Sequence, residues 1–137
     1  DVYKRQGLNA VHGIAYAVAG LTHATHGSTN AVMLPYVLDA LRTERPAELL
    51  EVASLFGIET KDPVAAVAQV PVVIRNLIGE LGIPTNLREF GVGREHLGDL
   101  TRDALAVTRL AKAFPVADVP ATYARIIDAA WHGKLGD

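Results

Sequence analysis

Apolar residues recur along this chain at intervals of three and four, in runs separated by short breaks rich in Gly, Pro, Asp and Asn. Residues 8–20 are rich in Ala and Val, hold no Pro and carry no turn signal, which predicts a buried helix. A polar segment, 22–29, interrupts the apolar run. Ser28 or Thr29 is the expected N-cap of a second helix over 29–42, with Pro35 in its interior as a source of a kink. A third helix is expected over 46–56, with Pro46 in its first turn, Leu49, Leu50, Val52 and Phe56 as its apolar positions, and Gly57 as its stop.

The fourth run, 63–81, poses a choice. Its Val-Pro-Val-Val-Ile stretch suits a strand locally, but its length and the spacing of Val67, Ile74, Leu77, Ile78 and Leu81 favour a helix kinked at Pro71. Asp62 is its cap and Pro63 its first helical residue. Residues 86–89, Asn-Leu-Arg-Glu, read as a short capped turn. A helix over 96–113, a linker over 115–120 and a last helix from Pro120 to about His132 complete the pattern. Six or seven helices joined by short breaks make an all-α bundle.

Composition narrows the classes. The 137 residues suffice for one domain with a real core, half of them are hydrophobic, and only 6% are aromatic. The core is therefore built from Ala, Val, Leu and Ile. Net charge is −2, with no basic cluster long enough to track a phosphate backbone, which argues against nucleic acid. No apolar run approaches the length of a membrane span, and no secretory signal is evident. Cysteine is absent, so disulfides and thiolate metal sites are excluded, and a reducing cytoplasmic setting fits.

Candidate chemistry concentrates in residues 9–38, which hold three of the five histidines and the only methionine. His12, Tyr16 and Ala19 fall at i, i+4 and i+7, on one helical face. His26 precedes the next helix, where the chain can turn an imidazole back towards the first. Two such imidazoles can converge on a divalent ion such as Fe²⁺ or Zn²⁺, with a further carboxylate and imidazole from elsewhere completing the shell. The plainer alternative stands beside it: a buried histidine is commonly a hydrogen-bonded core residue. Tyr16 likewise suits a core aromatic with a satisfied hydroxyl, and His23 a solvated hinge.

Other clusters read as structure. Gly91-Val92-Gly93 lacks the third glycine and the preceding strand of a dinucleotide-binding turn. Glu95, His96 and Asp99 form the solvated entry of a helix, with carboxylates at its positive end. His132 fits a helix C-terminus.

The wording around the histidines adds a second kind of information. His12-Gly-Ile-Ala-Tyr16 followed by His26-Gly-Ser-Thr-Asn30-Ala-Val-Met-Leu-Pro35-Tyr-Val-Leu38 closely resembles the iron-type (group III) alcohol dehydrogenases. Their pattern is H-x-x-A-[HY]-x-[LV]-[GA]-G, then H-G-x-x-N-A-x-x-L-P-x-V. The resemblance is specific here and looser towards the C-terminus. It implies the C-terminal helical domain of a two-domain enzyme, with His12 and His26 as the third and fourth members of an Asp-His-His-His metal shell.

What the resemblance implies further is hydride transfer between a nicotinamide and a small alcohol or aldehyde. The metal is Fe²⁺ or Zn²⁺, and NAD or NADP is bound mainly by an upstream domain. The enzyme is expected to be a cytoplasmic homo-oligomer. Tyr16 stands where many relatives carry a second histidine near nicotinamide and substrate, a departure from the family's pattern at that position. Ala113-Phe114-Pro115 replaces the family's Asn-Pro-Arg near the substrate entrance, implying a more apolar mouth.

Residues 1–6 match nothing that follows and read as a non-native N-terminal scar, leaving 7–137 as the helical metal-binding domain of a fragment. Alone, such a fragment is expected to be inactive. Two further readings remain open at this level: a metal-free relative of the maleylacetate reductase kind, and a non-catalytic helical interaction domain.

Overall fold

The computed structural model describes residues 26–44, 46–59, 61–106 and 116–135. The predicted helix over 8–20 lies outside them. Five α-helices occupy the described residues: α1 His26–Glu44, α2 Pro46–Leu55, α3 Pro63–Glu80, α4 Leu97–Ala106 and α5 Val119–His132. Two short 3-10 turns, Leu87–Phe90 and Arg94–His96, link α3 to α4, and no strand occurs among the described residues. The all-α expectation holds.

The local chemistry explains most boundaries. Asp62 caps α3 by accepting from the Ala65 N–H at 3.3 Å, and Asp118 caps α5 by accepting from Ala121 at 3.1 Å. Asn86 caps its 3-10 turn, accepting from the Glu89 N–H at 3.0 Å while its amide donates to the Glu89 carboxylate at 3.2 Å. Gly57 and Gly133 follow α2 and α5 with φ of 76° and 75°, a left-handed conformation that favours glycine.

α1 starts earlier than the N-cap expectation at Ser28 or Thr29. It begins at His26 and places Gly27, Ser28 and Thr29 in its first turn. First-turn N–H groups have no intrahelical acceptor to lose, so weak helix formers are tolerated there. Thr29 is also fully buried, which ties the turn to the core. The helix continues past Pro35, although that residue removes the usual donor to the Ala31 carbonyl.

The strand-like stretch of α3 is helical because its face is used. Val67, Val70, Ile74 and Ile78 are buried at spacings of three and four. Each such side chain contributes about 1.5–3 kcal/mol on burial, more than the small propensity penalty of β-branched residues. Leu77 and Leu81, expected on that face, are instead 48% and 73% exposed; they flank the buried line at the end of the helix. Phe56 also departs from expectation, lying beyond the end of α2 and about half exposed.

α1 sits at the centre. It packs against α2, α3 and α5, while α2 packs on α3, and α4 on α5. One core joins Val32, Met33, Tyr36 and Val37 of α1 to Val70 and Ile74 of α3, and to Tyr123, Ile126 and Ile127 of α5. The stretch that carries the candidate chemistry is therefore also the packing axis.

Candidate metal centre

Of the three residues singled out for chemistry, His12 and Tyr16 lie outside the described residues. His26 is described in its backbone only, as the first residue of α1. What can be read is the platform on which it stands. His26, Asn30, Met33, Val37 and Leu41 fall at i, i+4, i+7, i+11 and i+15, on one face of α1. Met33, Val37 and Leu41 on that line are buried. The line thus changes from apolar to polar over its last turn towards the N-terminus.

Asn30 marks the change. Its amide oxygen Oδ1 is shut off from solvent and has no hydrogen-bond partner among the described residues. Leaving a buried acceptor unpaired costs about 1–3 kcal/mol, so native structures rarely keep one without a use. Nothing in the apolar-core account of α1 asks for it. It gives this end of α1 a polar group, and imidazoles without thiolates form a donor set that suits Fe²⁺ or Zn²⁺. Among the described residues this orphan acceptor is the feature that fits a metal near the N-terminal end of α1.

The other clusters behave as structure. Glu95 is exposed and Asp99 stands in the first turn of α4. His96 accepts the Gly93 N–H at its Nδ1, 3.3 Å away. No group of three acidic or histidine side chains able to hold a metal occurs among the described residues. His132 donates from Nδ1 to the Asp128 carbonyl at 2.9 Å and so belongs to the end of its own helix. It also lines a shallow cleft of about 280 Å³ with Asp39, Asp128, Ala129 and Lys134.

Sequence reasoning missed a network beneath the far half of α1. The buried Tyr36 hydroxyl donates to the Thr85 carbonyl. Burial pushes this hydroxyl above the usual tyrosine value, and the neighbouring Arg75 guanidinium partly opposes the shift. Arg75 also donates to the Gly133 carbonyl at 3.1 Å. Arg88 donates to the carbonyls of Trp131 and His132 at 2.8 and 3.3 Å, and the Trp131 indole N–H reaches the Val92 carbonyl at 2.9 Å. Two cations thus satisfy the open carbonyls and the negative end of α5. These groups hold α1, α3 and α5 in register; they present no reactive constellation.

The sequence model of the C-terminal part of the Fe-containing alcohol dehydrogenases matches residues 2–127. The chain belongs to the Fe-containing alcohol dehydrogenase family. It is 30% identical over 131 residues to long-chain-alcohol dehydrogenase 1 of Geobacillus thermodenitrificans, covering 94% of this chain and 33% of that protein. It is 32% identical over 92 residues to 1,3-propanediol dehydrogenase of Klebsiella pneumoniae, covering 66% of this chain and 24% of that protein.

Among solved structures, a 1,3-propanediol oxidoreductase superposes with a TM-score of 0.80 at 27% identity, over 89% of this chain and 32% of that one. An alcohol dehydrogenase from Oenococcus oeni shares the fold with a TM-score of 0.80, at 24% identity, over 88% of this chain and 32% of that one. The chain spans about a third of the length of the first of these relatives. The resemblance carried by the histidine motifs therefore holds for the fold and the family.

Proposed function

We propose that this chain is the helical, metal-holding part of an NAD(P)-linked alcohol dehydrogenase that interconverts a small alcohol and its aldehyde or ketone. The observation that carries the reading is the family match running through both histidine motifs, joined to the polar end of α1 around Asn30. The relatives' names point the same way: long-chain-alcohol dehydrogenase, 1,3-propanediol dehydrogenase and lactaldehyde reductase.

In this reading His12 and His26 hold the metal through neutral imidazole nitrogens, two of the four ligands. When bound, the ion supplies a Lewis acid for the substrate oxygen, and the nicotinamide supplies the hydride acceptor or donor. The chain's own contribution is placement. α1 is fixed on three sides by α2, α3 and α5, so the histidine at its first residue is mounted on a rigid element. Tyr16, four residues after His12 in the sequence, is assigned at most a weak polar role towards the substrate and not that of a required acid or base. Lack of cysteine suits a cytoplasmic setting, and among the described residues no helix is long and apolar enough to cross a membrane.

The Asp and remaining His ligands, and the phosphate-binding turn for the cofactor, are assigned to the parent enzyme outside this chain. The test is turnover by that full-length enzyme. Primary alcohols should reduce NAD⁺ or NADP⁺, a strong chelator should abolish the rate, and Fe²⁺ or Zn²⁺ should restore it. Undiminished turnover after complete removal of metal would contradict the metal-dependent reading in favour of a metal-free relative.

A further inference from the structure

We infer that Leu77 and Leu81, at the end of α3, form the docking edge for an apolar helical segment of the parent enzyme that lies outside these 137 residues. The inference rests on the parent enzyme assigned above and not on its metal. The two leucines continue a line that starts in the core. Ala66, Val70, Leu77 and Leu81 follow one another at intervals of four, seven and four, along one edge of the buried face of α3. Ala66 and Val70 are fully buried, whereas Leu77 and Leu81 are 48% and 73% exposed. The line stays apolar to its end while its cover stops.

Helix length explains where it stops. α2 packs on α3 and joins it through a short connection, so the two run antiparallel from a common turn. α2 has 10 residues and α3 has 18. At about 1.5 Å per residue, α3 outruns α2 by roughly 12 Å, and Leu77 and Leu81 lie on that overhang. Their neighbours Val73, Ile74 and Ile78 are apolar, and Arg75 is turned to the Gly133 carbonyl. The edge therefore accepts an aliphatic face and not an ionic one. Two observations choose the occupant. Two part-exposed leucines fall far short of the roughly 800 Å² per partner that a stable interface between separate chains buries. A segment of the same polypeptide needs no such area, because the tether removes most of the cost of association. The chain spans 33% of long-chain-alcohol dehydrogenase 1 and 32% of the 1,3-propanediol oxidoreductase chain, so most of a polypeptide of that length lies elsewhere.

The test is thiol accessibility in the full-length enzyme carrying Leu77→Cys or Leu81→Cys. Iodoacetamide is the probe, and the labelled peptide is read by mass spectrometry. The chain has no cysteine of its own, so the new thiol is unambiguous within it. The reference is the same variant unfolded in urea. A docked segment should slow labelling at least about 100-fold, because a covered thiol reacts only when the structure opens locally. The protection should persist when the enzyme is diluted and when its metal is removed.

Labelling of the native enzyme within a few-fold of the unfolded rate would overturn the proposal and leave the metal reading intact. Protection that vanishes on dilution would overturn it in favour of a second copy. Protection already complete in residues 1–137 alone would overturn it by placing the cover within the chain. If the variants do not fold, oxidative footprinting of wild-type Leu77 and Leu81 decides instead. Modification well below that of the unfolded enzyme supports the docking edge, and equal modification overturns it. The readout uses neither metal nor turnover, so a parent enzyme that proves metal-free leaves the proposal standing.

Discussion

Arg88 reaches across 43 positions of sequence to close the end of α5, its Nε donating to the Trp131 carbonyl at 2.8 Å. The same guanidinium lies 5.5 Å from the centre of the Trp131 ring. One residue on the turn after α3 thereby fixes where α5 stops and where the Trp131 indole packs. The contact closes the end of α5, so its effect is expected on stability.

Replacing Arg88 by Ala should lower stability by about 1 kcal/mol, since the bonds are charge-assisted but solvent-exposed. Arg88→Lys should recover little, because a point charge cannot serve two carbonyls in a fork. Urea midpoints of the two variants check this, and equal midpoints for wild type and Arg88→Ala would remove Arg88 from the account.

Gly133 holds φ at 75° as the residue after α5. A Cβ there would also stand 3.6 Å from the Asn86 Cβ and 3.9 Å from the Tyr36 hydroxyl, which is ordinary contact. The cost of Gly133→Ala is therefore conformational, about 1–2 kcal/mol. Thermal unfolding should show it, with the helical circular dichroism of the folded state unchanged.

Two tyrosines give the fold an alkaline edge. Burial pushes the Tyr123 hydroxyl up from 10.0 to about 12, and Tyr36 shifts in the same direction. The folded chain then holds these protons more tightly than the unfolded chain. Stability is full below pH 10 and is lost as pH rises from there towards about 12. Titration of tyrosinate absorbance should show two late groups. Removing the cation with Arg75→Met should move Tyr36 still higher, since Arg75 opposes its shift.

The chain by itself should be inactive. It carries two of the four proposed ligands and no phosphate-binding turn in its sequence. Residues 1–137 supplied with Fe²⁺ or Zn²⁺, NAD⁺ or NADP⁺ and short alcohols should give no cofactor reduction above background. Clear turnover would mean that the site is self-contained.

Much of the fold was legible because it is written locally. Asp62, Asn86 and Gly57 each act within a few residues of themselves, so these caps and this stop could be read from the sequence. The spacing of Val67, Ile74 and Ile78 carried α3 past a strand-like stretch for the same reason. Leu77, Leu81 and Phe56 were misplaced because apolar character does not say whether a neighbour is present to cover it. Arg75 and Arg88 were missed because their partners lie 58 and 43 or 44 positions away, a relation with no local signature.

The central claim is that His12 and His26 hold the metal, and the most direct measurement is metal content in the full-length enzyme. Purified wild type should carry one divalent ion per subunit, and His12→Ala and His26→Ala should each lose it. Both variants should keep the helical fold, because Val32, Met33, Tyr36 and Val37 of α1 stay buried in the apolar core. Stoichiometric metal with normal turnover in both variants would contradict the account, leaving the two histidines as core residues whose loss costs only about 1–3 kcal/mol of stability.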